Sequence, residues 1–196
     1  MTHGNYQKYT NPNPVQQRLI RNFLDAVAEL VHATGVTTLL DVGCAEGFVS
    51  AHIRRRAPNI TTWGLDRDVE ALLRGRRLHP HIPTCVGDIT QLPTKQGGAD
   101  LVLCTEVLEH IPNPAHALHE LLRASRRYVL LSVPWEPWFR LANVLRMKNL
   151  ARLGDDPEHV NHWTGRQFRH FLRPHARVLI HRIAFPWQIV LLEKNQ

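Results

Sequence analysis

The sequence predicts an α/β fold: a doubly wound, mostly parallel seven-stranded sheet with an N-terminal helix, an antiparallel C-terminal hairpin and a short lid insertion. Three observations carry this expectation. Short apolar runs alternate with amphipathic segments of helical length from residue 37 to residue 133, the pattern of repeated strand–helix crossovers. The run Leu39-Leu40-Asp41-Val42 passes directly into a turn of mostly small residues, Gly43-Cys44-Ala45-Glu46-Gly47. The stretch Ala99–Leu103 is almost wholly apolar, as a strand covered on both faces must be.

The 196 residues are expected to form one domain, 1–196, large enough to bury a core. Residues 1–34 form an N-terminal segment and helix. The first fourteen residues are polar and turn-rich, and Tyr6-Gln7-Lys8-Tyr9 reads equally as a lid over a ligand site or as a disordered tail. From Val15 to about His32, Leu19, Ile20, Phe23, Leu24, Val27, Leu30 and Val31 recur at helical spacing, and Gly35 stops the helix. Strand one, Thr37–Leu40, is followed by a helix from near Gly47 to Arg56, then by strand two, Ile60–Leu65. Asp68 reads as the cap of a helix ending near Leu78. Ile82–Val86 and Ala99–Leu103 supply strands three and four. A helix over Pro114–Ser125 precedes strand five, Tyr128–Val133. The alternation then breaks into a lid insertion at about 134–163, with Trp135, Trp138, a short helix over Phe139–Lys148 and a turn at Gly154-Asp155-Asp156-Pro157. Thr164 caps a helix through Leu172. Ala176–Ala184 and Gln188–Leu192, separated by Pro186, read as the closing hairpin.

Composition limits the function classes. No apolar run is long enough to span a bilayer, the start is polar, and the expected setting is cytoplasmic without membrane attachment. Cys44, Cys85 and Cys104 sit in strand-like contexts and read as buried small hydrophobes, not a disulfide framework. Lys+Arg 24 against Asp+Glu 17 gives a net charge of +7, which admits polyanion binding. The arginine clusters at 54–56, 74–77, 123–127 and 166–173 lie near predicted helix ends, where cations complement the dipole and stay solvated, so nucleic acid is not the expected partner.

Chemistry is expected beyond the carboxyl ends of the strands, at the point where the strand order reverses. Asp41, Asp66 and Asp88 stand at three such ends. Asp66 follows the glycine turn by about twenty residues, where an acid can accept two ribose hydroxyls. The spacing Asp41-x-Gly43-x-Ala45-x-Gly47 lacks the glycines of a dinucleotide fingerprint. It resembles the acidic-x-Gly-x-Gly-x-Gly turn of class I S-adenosylmethionine-dependent methyltransferases, with Ala45 in the middle place. Gly87-Asp88-Ile89 and the stretch Asp100–His110 extend that resemblance over residues 5–195. It implies S-adenosylmethionine as cofactor, with Asp41 at the amino acid end, Asp66 at the ribose, Asp88 and Ile89 at the adenine, and Gly43, Ala45, Gly47, Arg67 and Thr105 against the ligand.

The acceptor side must come from segments overhanging strands four and five. Glu106, Glu109 and His110 share a face if a helical turn forms after strand four. His110 and His162 are candidate bases, Glu106 a candidate catalytic acid group, and Trp135, Trp138 and Trp163 candidate walls of an acceptor pocket. The expected reaction is methyl transfer to oxygen, with nitrogen as the lesser alternative, of a small molecule. One alternative rests on a second resemblance: Glu106-x-x-Glu109-His110, with His159, is similar to the metal-binding pattern of small-RNA 3′-terminal 2′-O-methyltransferases, which implies a divalent ion. Under it His162 stands where that family places an acid. Another alternative is a catalytically silent binding module.

Overall fold

In the computed structural model, residues 4–145, 147 and 152–195 are described. Their seven strands are β1 (Thr38–Val42), β2 (Thr61–Asp66), β3 (Thr84–Val86), β4 (Ala99–Thr105), β5 (Ser125–Pro134), β6 (Ala176–Ala184) and β7 (Trp187–Lys194). They form one sheet in the order β3-β2-β1-β4-β5-β7-β6. β1 to β5 pair in parallel, and β7 runs antiparallel to both β5 and β6. The order reverses between β1 and β4, so the ligand crevice of an open sheet falls at their carboxyl tips.

The helices are α1 (Gly4–Thr10), α2 (Pro14–Ala33), α3 (Phe48–Arg56), α4 (Val69–Leu78), α5 (Pro114–Ala124), α6 (Trp138–Leu145) and α7 (Gly165–Leu172). Their starts follow local chemistry. Asn13 accepts from the amides of Val15 and Gln16 with Pro14 in the first turn. Asp68 caps α4 through Ala71 N–H, and Asn113 caps α5. Thr164 and Gln167 form a reciprocal capping box on α7.

Two cores lie on the two faces of the sheet. The period of two along the strands sends Leu39, Leu101, Leu103 and Leu130 toward Ile20, Phe23 and Val27 of α2 and Ile53 of α3. Leu40, Val102, Cys104, Val129 and Leu131 face Leu118 and Leu121 of α5 and Phe168 and Leu172 of α7. Both layers are needed to hide a parallel sheet, and each fully buried Leu or Phe contributes about 1.5–3 kcal/mol.

Four expectations need correction. The polar residues 4–10 form a helix rather than an irregular segment. Cys85 is exposed, because β3 is the sheet's edge strand and packs only in part. Arg126 and Arg127 lie on β5 and pair with Asp100 and Glu193 instead of ending a helix. Glu106 and Glu109 do not share a helical face: only Leu108–His110 form a 3-10 turn, and Glu106 has a left-handed φ of 57°. The end of the expected Phe139–Lys148 helix, at Lys148, lies outside the described residues, as does part of the 134–163 insertion.

Candidate active site

The turn after β1 is built from alternating left-handed residues: Gly43, Ala45 and Gly47 have φ of 75°, 46° and 79°. Two of these three are glycine, which takes such angles freely. At Gly43 space matters as well, since an added Cβ would lie 2.3 Å from Val107 Cγ2. The turn is tied to β2 by Leu65 O, which accepts from Gly43 N–H at 2.7 Å and Cys44 N–H at 3.1 Å. Gly47 begins α3 without a side-chain cap, so the amides of its first turn keep their positive end open.

The three acids gather at adjacent strand tips. Asp41 is 1% exposed; its Oδ2 accepts from Ser50 Oγ at 2.6 Å, and its Oδ1 is buried with no hydrogen-bond partner among the described residues. Burial pushes the Asp41 carboxyl up to about 7, against the pull of Ser50, and neighbouring Asp66 adds to the rise. Asp66 accepts from Ala45 N–H at 2.7 Å and Asp68 N–H at 2.8 Å, so it braces the glycine turn. Asp88, two residues beyond β3, accepts from the Thr90 amide and hydroxyl, and these bonds hold it below the usual carboxylate range. Ile89 is buried beside it and Arg67 is exposed. Thr105 ends β4, opposite Ser132 of β5.

α1 lies across this turn. Asn5 Nδ2 donates to Glu46 Oε2 at 2.8 Å, Lys8 pairs with Glu106, and Tyr9 stacks on Phe48 with ring centroids 4.7 Å apart. Lys8 Nζ also lies 4.5 Å from the Trp187 ring centroid. Glu46, 1% exposed, accepts from Arg74 Nε and NH2 at 3.0 and 2.9 Å. Arg74 therefore braces the turn and is not simply a solvated helix-end cation.

On the acceptor side, Glu109, His110 and His159 bring one ligand atom each within 4.8 Å of one another. Both Glu109 carboxylate oxygens are buried without a hydrogen-bond partner among the described residues, and burial, with Glu106 nearby, raises that carboxyl well above its ordinary value. His159 is lowered to about 4 by burial, then by His110. His110 Nδ1 lies 3.0 Å from Glu158 O; as a carbonyl only accepts, Nδ1 carries a proton, and in the neutral ring the lone pair is then on Nε2. His162 Nε2 meets Asp155 Oδ1 at 2.7 Å, and Asp155 also pairs with Arg140. Glu106 stands outside the trio because its carboxylate goes to Lys8. The two limbs are stapled together: Asn161 Nδ2 donates to Leu108 O and Ile111 O, and the amides of Val160 and Asn161 donate to Glu109 O. Among the tryptophans, Trp135 is half-buried, Trp138 is 43% exposed, and Trp163 packs on Phe168 and Phe171 of α7.

A family model described as a methyltransferase domain matches residues 14–175. The chain belongs to the methyltransferase domain family. An enzyme of Pseudomonas paraeruginosa named ubiquinone biosynthesis O-methyltransferase is 32% identical over 146 residues, which are 70% of this chain and 59% of that enzyme. The methyltransferase chain thus spans well under two thirds of that relative. Magnesium protoporphyrin IX methyltransferase from Synechocystis PCC 6803, solved with bound S-adenosylhomocysteine, superposes with a TM-score of 0.74 at 17% identity, covering 97% of this chain and 92% of that one. The methyltransferase domain of bacterial CtHen1-C gives 0.69 at 18%, covering 91% and 100%. At such identities the likeness concerns the fold. Sequence reasoning named Lys8 only within a possible lid and missed the parts played by Glu46, Ser50, Arg74 and Asn161. Each acts through a partner distant in sequence, apart from Ser50, whose place one helical turn inside α3 gives it reach to Asp41.

Proposed function

We propose that this methyltransferase domain binds S-adenosylmethionine at the tips of β1, β2 and β3 and transfers its methyl group to an oxygen of a small molecule. The observation that carries the reading is Asp41 Oδ1, a buried acceptor with no partner, at the floor of a left-handed glycine turn. A cationic ammonium beside Asp41 would satisfy that orphan atom, and the uncapped start of α3 suits a carboxylate. Asp66 and Asp88 would take the ribose and adenine, with Arg67 and Ile89 flanking them and Thr105 at the β4 tip. The donor, when bound, supplies an electrophilic methyl on a sulfonium. The chain's own residues then orient the acceptor, exclude water and take its proton. His110 is the base, with Nδ1 fixed on Glu158 O and Nε2 ready to accept. His162, held by Asp155, orients the acceptor. Transfer to oxygen is carried over from the relatives named for ubiquinone biosynthesis. Calorimetry with S-adenosylmethionine tests the donor half. A tritiated-methyl transfer assay over small hydroxylated aromatics tests the acceptor half. Donor binding without transfer to any such hydroxyl would overturn the small-molecule reading and leave transfer to RNA or a silent binding module.

A second reading is favoured by the unpartnered carboxylate of Glu109 beside His110 and His159. These groups suit a divalent ion, which would hold a ribose hydroxyl of an RNA 3′ end. Glu106 would join them only by leaving Lys8. Metal-dependent transfer to RNA, and none to small molecules, would establish this reading over the first.

A further inference from the structure

We infer that Glu136 and Arg140 form a subsite for a neutral hydroxyl of the methyl acceptor, distinct from the oxygen that takes the methyl group. The inference rests on the small-molecule reading above and adds a residue pair that recognises the acceptor. Glu136 stands two residues beyond β5, at the sheet end that carries the ligand crevice, and its amide donates to Trp163 O at 3.2 Å. The residue is 7% exposed, yet neither carboxylate oxygen has a hydrogen-bond partner among the described residues. Arg140, one turn further along on α6, brings Nε to 3.7 Å from Glu136 Oε1, beyond hydrogen-bond reach. That Nε is itself buried and without a hydrogen-bond partner among the described residues. Burial pushes the Glu136 carboxyl above its ordinary value, and the side chain and amide of Arg140 pull it back only in part.

Arg140 is anchored from its far side. Its NH2 reaches Asp155 Oδ1 at 3.1 Å, and the same oxygen meets His162 Nε2 at 2.7 Å. The His162 ring lies 6.3 Å from that of His159, which lies 4.8 Å from that of His110. One row of groups thus runs from His110, the proposed base, to the bare carboxylate of Glu136. Buried polar groups are ordinarily hydrogen-bonded, and an acceptor beside a donor, both bare, calls for a partner that is donor and acceptor at once. A phosphate or carboxylate would meet like charge at Glu136 and Asp155, and an ammonium would meet it at Arg140. A hydroxyl suits both: it donates its proton to Glu136 and accepts from Arg140 Nε–H. An oxygen about 2.8 Å from each atom closes a triangle on their 3.7 Å separation. Such a site rejects an analogue that lacks the hydroxyl, because its buried groups are then left bare again.

The test compares acceptor pairs that differ by one hydroxyl, at two lengths of reach: phenol with hydroquinone, and para-phenylphenol with its para′-hydroxyl derivative. Each compound is assayed for methyl transfer from S-adenosylmethionine, and for binding to the whole chain loaded with S-adenosylhomocysteine by saturation-transfer NMR. In at least one pair the dihydroxy member should bind, or react in kcat/KM, at least about tenfold better. Glu136→Ala should bring that ratio to about one, and Glu136→Gln, which keeps the shape, should lower it severalfold. A purely structural ion pair would instead affect both members of a pair alike. The carboxylate has no hydrogen bond to lose, so Glu136→Gln without ligand should unfold at the parent's temperature or above it. A parent that treats both members of each pair alike, or binds none of them, overturns the inference and leaves water alone at the pair. So does a ratio that neither substitution lowers. Transfer to these phenols without any such ratio sinks the subsite while the small-molecule reading stands. A Glu136-dependent preference in binding, with no transfer, keeps the subsite and counts against methyl transfer to small molecules.

Discussion

Asp41→Asn keeps the shape of the side chain and its bond from Ser50, and removes the ability to become an anion. Its consequences can be worked from the carboxyl's displacement from 3.8 to about 7. An acid whose pKa is raised in the folded state holds its proton there after the unfolded chain has lost it. The stabilising contribution of that proton is full below about pH 4 and is gone above about pH 7, a swing of about 4 kcal/mol. An amide in this place carries no such dependence, so without ligand the variant should gain on the parent as pH climbs through that window. Donor binding reverses the order. A cationic ammonium needs the Asp41 anion, which is about half formed at pH 7 and about one part in eleven at pH 6. The parent's Kd for S-adenosylmethionine should therefore weaken about fivefold from pH 7 to pH 6, with about half a proton released on binding at pH 7. The variant should bind 10- to 100-fold more weakly at pH 8, for loss of a charged hydrogen bond of about 1.5–3 kcal/mol, and show no such slope. Calorimetry in two buffers of different ionisation enthalpy reads both quantities. Equal affinity of variant and parent, or a pH slope that survives in the variant, refutes the placement of the donor's ammonium at Asp41.

Three further outcomes are expected. Lys8→Met should loosen α1 by about 1 kcal/mol, since the pair with Glu106 is partly screened by solvent; amide exchange over residues 4–10 and the release rate of S-adenosylhomocysteine should both rise, and unchanged exchange would remove α1 from the site. Gly43→Ala should destabilise by about 1–3 kcal/mol through its left-handed φ and the clash with Val107. Adding Val107→Ala should recover only the part due to the clash, so full recovery in chemical denaturation would show that the backbone angle costs nothing. Small-molecule methyl transfer should withstand EDTA; loss of activity, restored by Mg2+ or Mn2+, would move the reading to the Glu109–His110–His159 trio.

The sheet was readable because its physics is local. Apolar runs of strand length, two-faced burial and the caps at Asp68 and Thr164 are written in neighbouring residues, whereas the caps at Asn13 and Asn113, equally local, went unread. Asp41, Asp66 and Asp88 could be placed at strand tips for the same reason, although Asp66's two backbone bonds could not be foreseen. α1 was not readable as a helix: Gly4–Thr10 has no apolar period, and what orders it lies at Glu46, Phe48 and Glu106. Glu106 illustrates the same limit, since its spacing from Glu109 suggested a shared face while its backbone turns the other way. Cys85 shows that an apolar neighbourhood along the chain does not fix burial when the strand ends up at an edge.

The Asn161 staple has a consequence for altering what this domain accepts. Its amide spans two carbonyls of the stretch after β4, fifty or so positions earlier in the chain, and adjacent amides grip Glu109 O. Residues 106–111 and 158–163 therefore behave as one mechanical part with two sequence addresses. A graft that imports only one of them from another methyltransferase would strand carbonyls and donors on both sides of the seam, whereas moving both together keeps the joint whole.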